Sequence, residues 1–226
     1  MWLLLFSPLL VLCSGNNEFD ICKTDPNKAC LSGLRELDFP ETEKDLEKIC
    51  PLIEDYIKCL GRYDEMCSTK LFSLPGQYGN ILSLVDDICN KDSQFHKAIV
   101  EGLPCIGHGI INRNATCFNS QEELLNSYFE HLHSEDREVD SKEEHTKHMC
   151  LRFLHEVSCV GEYISKGCTT SGRDAFLDGM RRIGLPFERC SHDIIRDLSS
   201  TAEKLDLEET AKVPLRITFA KMLQND

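Results

Sequence analysis

Cysteine is the residue type whose number and spacing indicate chemistry most clearly in this chain. The 226 residues include thirteen cysteines, and Cys13 lies in an apolar N-terminal run. Without Cys13 an even set remains: Cys22, Cys30, Cys50, Cys59, Cys67, Cys89, Cys105, Cys117, Cys150, Cys159, Cys168 and Cys190. Structural zinc sites use cysteines two to four residues apart, whereas at least seven residues separate any two cysteines here. The pattern therefore predicts a framework of up to six disulfide bonds.

Histidines form a second group that could do chemistry. The densest cluster is His131, His133, His145, His148 and His155. His145 and His148 share one helical face, where zinc or copper could bind. However, Glu143, Glu144 and Lys147 surround them in the sequence, which is typical of a solvated helix face. We therefore expect no metal site and no cofactor.

A possible catalytic pair is His192-Asp193, which follows Cys190. It resembles the His-Asp pair with which secreted phospholipases A2 activate water on a helix. The doubled cysteine and the glycine-rich calcium loop of that family are absent from this sequence. No serine lies in a nucleophile-elbow sequence, and no glycine-rich phosphate loop occurs. We therefore expect no enzymatic activity.

The first fifteen residues predict export. The run MWLLLFSPLLVLCSG is apolar, carries no charged side chain and closes on small residues, as a secretory signal peptide does. We expect cleavage after Gly15 and a secreted, extracellular protein without a membrane span. The net charge of −13, without a sustained basic segment, argues against nucleic acid as a partner. The sequon that begins at Asn114 predicts a glycan on an exposed loop.

Two segments 100 residues apart share one pattern. In each, two cysteines with eight residues between them precede an aliphatic residue, glycine, any residue and tyrosine; these are the segments from Cys50 to Tyr63 and from Cys150 to Tyr163. A third cysteine follows each segment, Cys67 and Cys168, and a fourth comes after twenty-one intervening residues, Cys89 and Cys190. This agreement indicates a duplication. We predict two related six-cysteine repeats, residues 16–104 and 105–226, after a signal peptide at 1–15.

The hydrophobic pattern is helical. An amphipathic stripe recurs every three or four residues through Leu46, Ile49, Ile53, Ile57 and Leu60. Pro51 predicts a kink or a fresh helix start within it. Ser120 with Glu123, and Ser141 with Glu144, predict capping boxes that open two further helices. Other predicted helices are 78–89, 95–100, 175–183, 192–205 and 214–223. Strictly alternating strand patterns are missing, so we predict an all-α, disulfide-stapled helical bundle.

Helix geometry limits the disulfide pairing. Cys50 and Cys59 lie about 13 Å apart along a helix axis, and a disulfide needs Cα atoms within about 7 Å. These two cysteines therefore join different neighbours, and the same holds for Cys150 and Cys159. The partners themselves stay open, because six bonds allow many pairings.

The run from Cys50 through Cys105 also carries a resemblance. Its sequence of Cys, Pro-Leu, Tyr-Ile-x-Cys-Leu, Cys, Ile-Cys, Ser-x-Phe and Pro-Cys resembles secreted, cysteine-rich helical proteins of arthropods and nematodes. That group includes hemolymph glycoproteins and domains of unknown function, and similar chains occur in venoms. The resemblance implies an extracellular fluid protein and carries over no catalytic residue.

Three functions follow as alternatives. The first is a non-enzymatic binding or carrier protein of body fluid, whose partner is a small apolar ligand or an unknown protein. The second is a venom toxin that acts on a receptor or channel, and the third is a secreted hydrolase with an unrecognised site. A continuous apolar cavity between helices would favour the carrier.

Overall fold

The structure, a computed structural model, describes residues 21–31, 38–135, 141–188 and 190–224, and only the backbone at 113–116 and 118. In these ranges every regular element is a helix, which confirms the all-α prediction. Eight helices have both ends described: α1 Pro26–Cys30, α2 Glu43–Cys67, α3 Gln77–Cys89, α4 Gln94–Ser134, α5 Lys142–Gly167, α6 Thr170–Ile183, α7 His192–Ala202 and α8 Glu209–Met222. None of these helices is long and apolar enough to cross a membrane. The predicted signal peptide at 1–15 lies outside the described residues.

Serine or threonine side chains cap the N-termini of most of the long helices. The N-cap residues that accept a backbone N–H are Thr42, Ser93, Ser141, Thr169 and Ser191. The predicted cap at Ser141 is confirmed, because its Oγ accepts the N–H of Glu144 at 3.1 Å. The carboxylate of Glu144 instead accepts a hydrogen bond from the hydroxyl of Tyr128. These caps satisfy N–H groups that a helix start otherwise leaves without a partner.

Two helices continue through positions where the sequence predicts a kink, a helix end or a new helix start. Pro51 lies inside α2, and both Pro104 and Ser120 lie inside α4. The predicted helix start at Ser120 is wrong, because its Oγ donates to the carbonyl of Cys117 one turn earlier. Next to Pro104, Leu103 and Cys105 are buried at 2% and 8% exposure, and such packing outweighs one lost backbone hydrogen bond. The predicted repeat boundary at 104/105 therefore falls within a continuous helix.

Six disulfide bonds join the helices, as the cysteine count predicts. The pairs are Cys22 with Cys67, Cys30 with Cys59, Cys50 with Cys89, Cys105 with Cys168, Cys117 with Cys159, and Cys150 with Cys190. Cys50 and Cys59 bond to α3 and α1, which confirms that they join different neighbours. Numbered within each half, both sets join the first cysteine to the fifth, the second to the fourth and the third to the sixth. This shared connectivity is the one expected of a duplication.

The glycine of the repeated motif lies where neighbouring helices approach each other. A Cβ on Gly61 would lie 2.6 Å from the ring of Tyr78 in α3. A Cβ on Gly161 would lie 3.4 Å from Arg173 in α6. Gly61 therefore leaves room for the next helix along the chain, whereas a Cβ at Gly161 would make an ordinary van der Waals contact.

Peptide mapping under non-reducing conditions checks the disulfide connectivity. Lysine or arginine separates each of the twelve cysteines from the next, so trypsin can isolate every cysteine in its own peptide. We expect cross-linked peptides for the six pairs given above. A digest of the reduced chain is the control, and any peptide that joins residues 22–89 to residues 105–190 contradicts the connectivity.

The buried core is distributed unequally between the two halves. Its largest cluster consists of residues from Cys105 to Met222, contributed by α4 to α8 and the segments between them. Helix α2 packs on α1 and α3, whereas α4 packs on α5 and α6, and α3 packs on α6. Leu46, Ile49 and Leu84 of the first half are also buried but lie outside the largest cluster. These three side chains line a cavity between the two halves.

Candidate ligand-binding site

An apolar cavity of about 520 Å³ lies between α2, α3, α4 and α6. Helix α2 contributes Leu46, Ile49 and Ile53, which belong to the amphipathic stripe that the sequence shows. Helix α3 contributes Leu84 and Ile88 from its facing side. The spacing of these residues at three and four positions turns one side of each helix toward the same space.

Helix α4 supplies the longest wall of the cavity. Phe95, Ile99, Leu103, Ile106 and Ile110 all line it, with spacings of four, four, three and four residues. This stripe was available in the sequence, but the prediction ended the helix at residue 100. It therefore omits the continuation of the stripe through Leu103, Ile106 and Ile110.

Helix α6 closes the cavity with Ala175, Phe176, Met180 and Ile183, and with a glycine between them. That glycine, Gly179, leaves space toward the facing helices. A Cβ added there would meet the nearest side-chain atoms, from Leu84 and Phe95, only at 3.9 Å and 4.0 Å. These are ordinary van der Waals distances, so a larger side chain at this position would extend into the cavity.

The segment before α2 covers one edge of the cavity. Phe39 lies against Gly107 of α4, where an added Cβ would come within 2.4 Å of its ring. The ring of Phe39 is 38% exposed, so it lies between the cavity and solvent. Asp38 beside it is the sole charged residue among the described lining residues.

An arginine of α6 packs on a side chain of the cavity wall and has other polar partners. Arg182 lies over the ring of Phe95, with 5.6 Å between the guanidinium carbon and the ring centre. Its Nη1 contacts Asp87 at 2.7 Å, and its Nη2 donates to Ser83. Since no cation lines the cavity among the described residues, the site suits an uncharged apolar molecule.

Two of the clustered histidines contact other side chains. His131 contacts Glu135 at 3.4 Å, and His148 packs on the ring of Phe129. Burial, together with His145 and Arg152, lowers the pKa of His148. Among the described residues, no group of three or more histidine, cysteine, aspartate or glutamate side chains could hold a metal ion.

The solvated face predicted around these histidines holds for Glu143, which is exposed, and is wrong for the other two charged residues. Glu144 and Lys147 are buried, at 5% and 6% exposure. The side chain of Lys147 reaches Asp197 of α7 at 2.8 Å and Glu143 at 2.9 Å. A solvated helix face and a buried ion-pair network can have the same pattern of charged residues in the sequence. The two differ only in whether another helix packs over those residues.

His192 and Asp193 contact different side chains. The ring of His192 stacks on Phe187 with 4.4 Å between ring centres. The carboxylate of Asp193 contacts Arg196 at 2.8 Å and is 90% exposed. Each side chain therefore has another structural partner.

Asn114 lies on α4 rather than on the loop that the sequon predicted. No second proline follows Pro104 within α4, and Leu124, Tyr128 and Leu132 continue its buried face. The side chain of Asn114 lies outside the described residues, so glycosylation stays a prediction.

Comparison of the chain with protein-family models, curated proteins and solved structures gives no match.

Proposed function

We propose that this chain is a secreted, non-enzymatic carrier of a small, uncharged apolar ligand in an extracellular body fluid. The apolar cavity between the two halves is the observation that supports this function. Its volume of about 520 Å³ lies within the range that small-molecule sites occupy, roughly 300–1,000 Å³. A continuous apolar cavity is the feature expected of a carrier and not of a venom toxin. The venom alternative is supported by the resemblance only.

The lining argues for a neutral ligand. A buried carboxylate needs a cation or several hydrogen-bond donors to offset its lost hydration. The described lining residues contain no lysine or arginine, and Asp38 adds a negative charge. A long-chain alcohol, ester or hydrocarbon therefore fits better than a fatty acid of the same length.

The disulfides support the extracellular part of the proposal. Six bonds of this kind persist in oxidising compartments and are rare in the cytosol. The predicted signal peptide and the resemblance of the segment from Cys50 through Cys105 to secreted cysteine-rich proteins favour the same compartment.

Filling the cavity tests the proposal. We expect the wild-type protein to bind the neutral fluorescent probe N-phenyl-1-naphthylamine saturably, with a blue shift of its emission. We expect Gly179→Leu to weaken this binding at least about tenfold, because the new side chain extends between Leu84 and Phe95. The melting temperature should not fall, since glycine to leucine favours the helix and fills empty space.

Gly79→Leu is the matched control, because a Cβ at Gly79 of α3 has no neighbour within 4 Å. It should leave probe binding unchanged. In the wild type, dodecanol should displace the probe more strongly than laurate. Equal binding by Gly179→Leu and the wild type contradicts the cavity as the site, and stronger displacement by laurate contradicts the neutral ligand.

A further inference from the structure

A second cavity, of about 560 Å³, lies between α4, α5, α8 and the segment that precedes α8. It shares no lining residue with the apolar cavity. One wall is apolar and includes Leu124, Leu207 and Leu215. The other wall is polar and comes mainly from α5, through His155, Ser158 and Glu162. Such a cavity suits a molecule with one apolar and one polar end.

The imidazole of His155 is the feature of this cavity that packing does not explain. The residue is 7% exposed, and its Nδ1 is buried without a hydrogen-bond partner. Burial lowers the pKa of His155 to about 4, so the ring is neutral at physiological pH. A neutral imidazole carries one nitrogen that accepts a hydrogen bond. A buried polar group without a hydrogen-bond partner destabilises a fold. A ligand that donates a hydrogen bond to the ring would explain why a histidine occupies this position.

Glu123 of α4 lies at about the same height along the helix axes as His155 of α5. The disulfide between Cys117 and Cys159 and the hydrogen bond from Gln121 to the carbonyl of Arg152 align α4 antiparallel to α5. This alignment places Glu123 within about one helical turn of His155 along the helix axis. Glu123 also lines the cavity, is exposed, and makes no ion pair with any described residue.

The charges of the lining favour a cation. At the far end of the polar wall, Lys166 contacts Glu162 at 2.9 Å, so its positive charge is already offset. No arginine lines the cavity among the described residues. The carboxylate of Glu123 therefore has no oppositely charged partner among the described residues. It lies beside an imidazole that can accept a hydrogen bond from an N–H group.

We propose that this second cavity binds a small organic amine. Its ammonium lies between Glu123 and His155, and its apolar body packs against the wall that includes Leu207 and Leu215. The site is independent of the apolar cavity, so either proposal stands without the other.

Calorimetric titration of the full chain tests this site with three probes of one shape. These are 2-phenylethylamine, the neutral 2-phenylethanol and the anionic 3-phenylpropionate. We expect the amine to bind about tenfold more tightly than the other two. Glu123→Gln should remove about fivefold to tenfold of the amine affinity and leave 2-phenylethanol unchanged. Glu122→Gln, an exposed neighbour outside the cavity, is the matched control and should change neither.

His155→Leu separates a binding role from a structural one. We expect weaker amine binding together with a melting temperature raised by about 2–6 °C, because the buried nitrogen without a partner is removed. Equal binding of the three probes, no saturable binding of the amine, or an unchanged affinity in Glu123→Gln overturns the proposal. A lowered melting temperature in His155→Leu would show a structural role for the ring and also overturns it.

Discussion

Lys147→Met is expected to lower the free energy of unfolding by about 3 kcal/mol at neutral pH, since it removes one partner of a buried ion pair. The side chain of Lys147 is 7% exposed, and that of Glu144 beside it is 6% exposed. The Nζ contacts Asp197 at 2.8 Å and Glu143 at 2.9 Å, while Tyr128 donates to Glu144 at 2.7 Å. This network joins α4, α5 and α7, so its loss affects three helices.

Urea unfolding of the wild type and the variant measures this loss. Lys204→Met is the control, because its ammonium is 61% exposed and lies 3.8 Å from Glu135; such a surface pair contributes about 1 kcal/mol or less. Adding Glu144→Gln to Lys147→Met should recover part of the loss, since it removes the buried charge. An effect of Lys147→Met no larger than that of Lys204→Met would contradict the network.

The pH dependence of this contribution has a definite sign. Burial acts to lower the pKa of Lys147, but hydrogen bonds with Asp197 and Glu143 outweigh it, so the pKa lies above its ordinary value of 10.5. A lysine with a raised pKa in the folded state stabilises fully below its unfolded pKa, and this stabilisation is lost as the pH rises through the folded value. The difference between wild type and variant should therefore be constant around neutral pH and shrink above about pH 10.5.

Gly172→Ala is expected to destabilise the fold by about 2–3 kcal/mol, because the new methyl group overpacks a helix crossing. A Cβ at Gly172 of α6 would lie 2.8 Å from the Cα and 3.2 Å from the backbone nitrogen of Gly102 in α4. Both close contacts are to backbone, so no side-chain rotation relieves them. Helices α4 and α6 would have to separate, and both line the apolar cavity.

Thermal unfolding should show this as a fall in melting temperature of about 4–12 °C. Gly79→Ala is the matched control, because it places the same methyl group on a helix with no neighbour within 4 Å. That control should stabilise the chain by up to about 1 kcal/mol through helix propensity. Equal melting temperatures for the two variants would contradict the close crossing of α4 and α6.

Part of the apolar site was predictable from local patterns. The stripe through Leu46, Ile49 and Ile53 follows from residue spacing, and the structure places all three on the cavity wall. The predicted helix 95–100 includes Phe95 and Ile99 but not the lining residues of α4 beyond it, where Pro104 disfavours a helix by intrinsic preference. Burial of the residues on either side of it overrides that preference, and burial depends on helices that lie elsewhere in the sequence.

Local sequence patterns were sufficient to predict the disulfide framework, the all-helical class, the helix cap at Ser141 and the rule that Cys50 and Cys59 bond to different neighbours. Each of these follows from residues a few positions apart, where geometry is set by the local backbone. Packing between distant segments sets which cysteines pair, buries Lys147, and brings the apolar faces of four helices to one cavity. These features depend on contacts between residues far apart in the sequence. The free energy of such contacts cannot be deduced from the spacing of neighbouring residues.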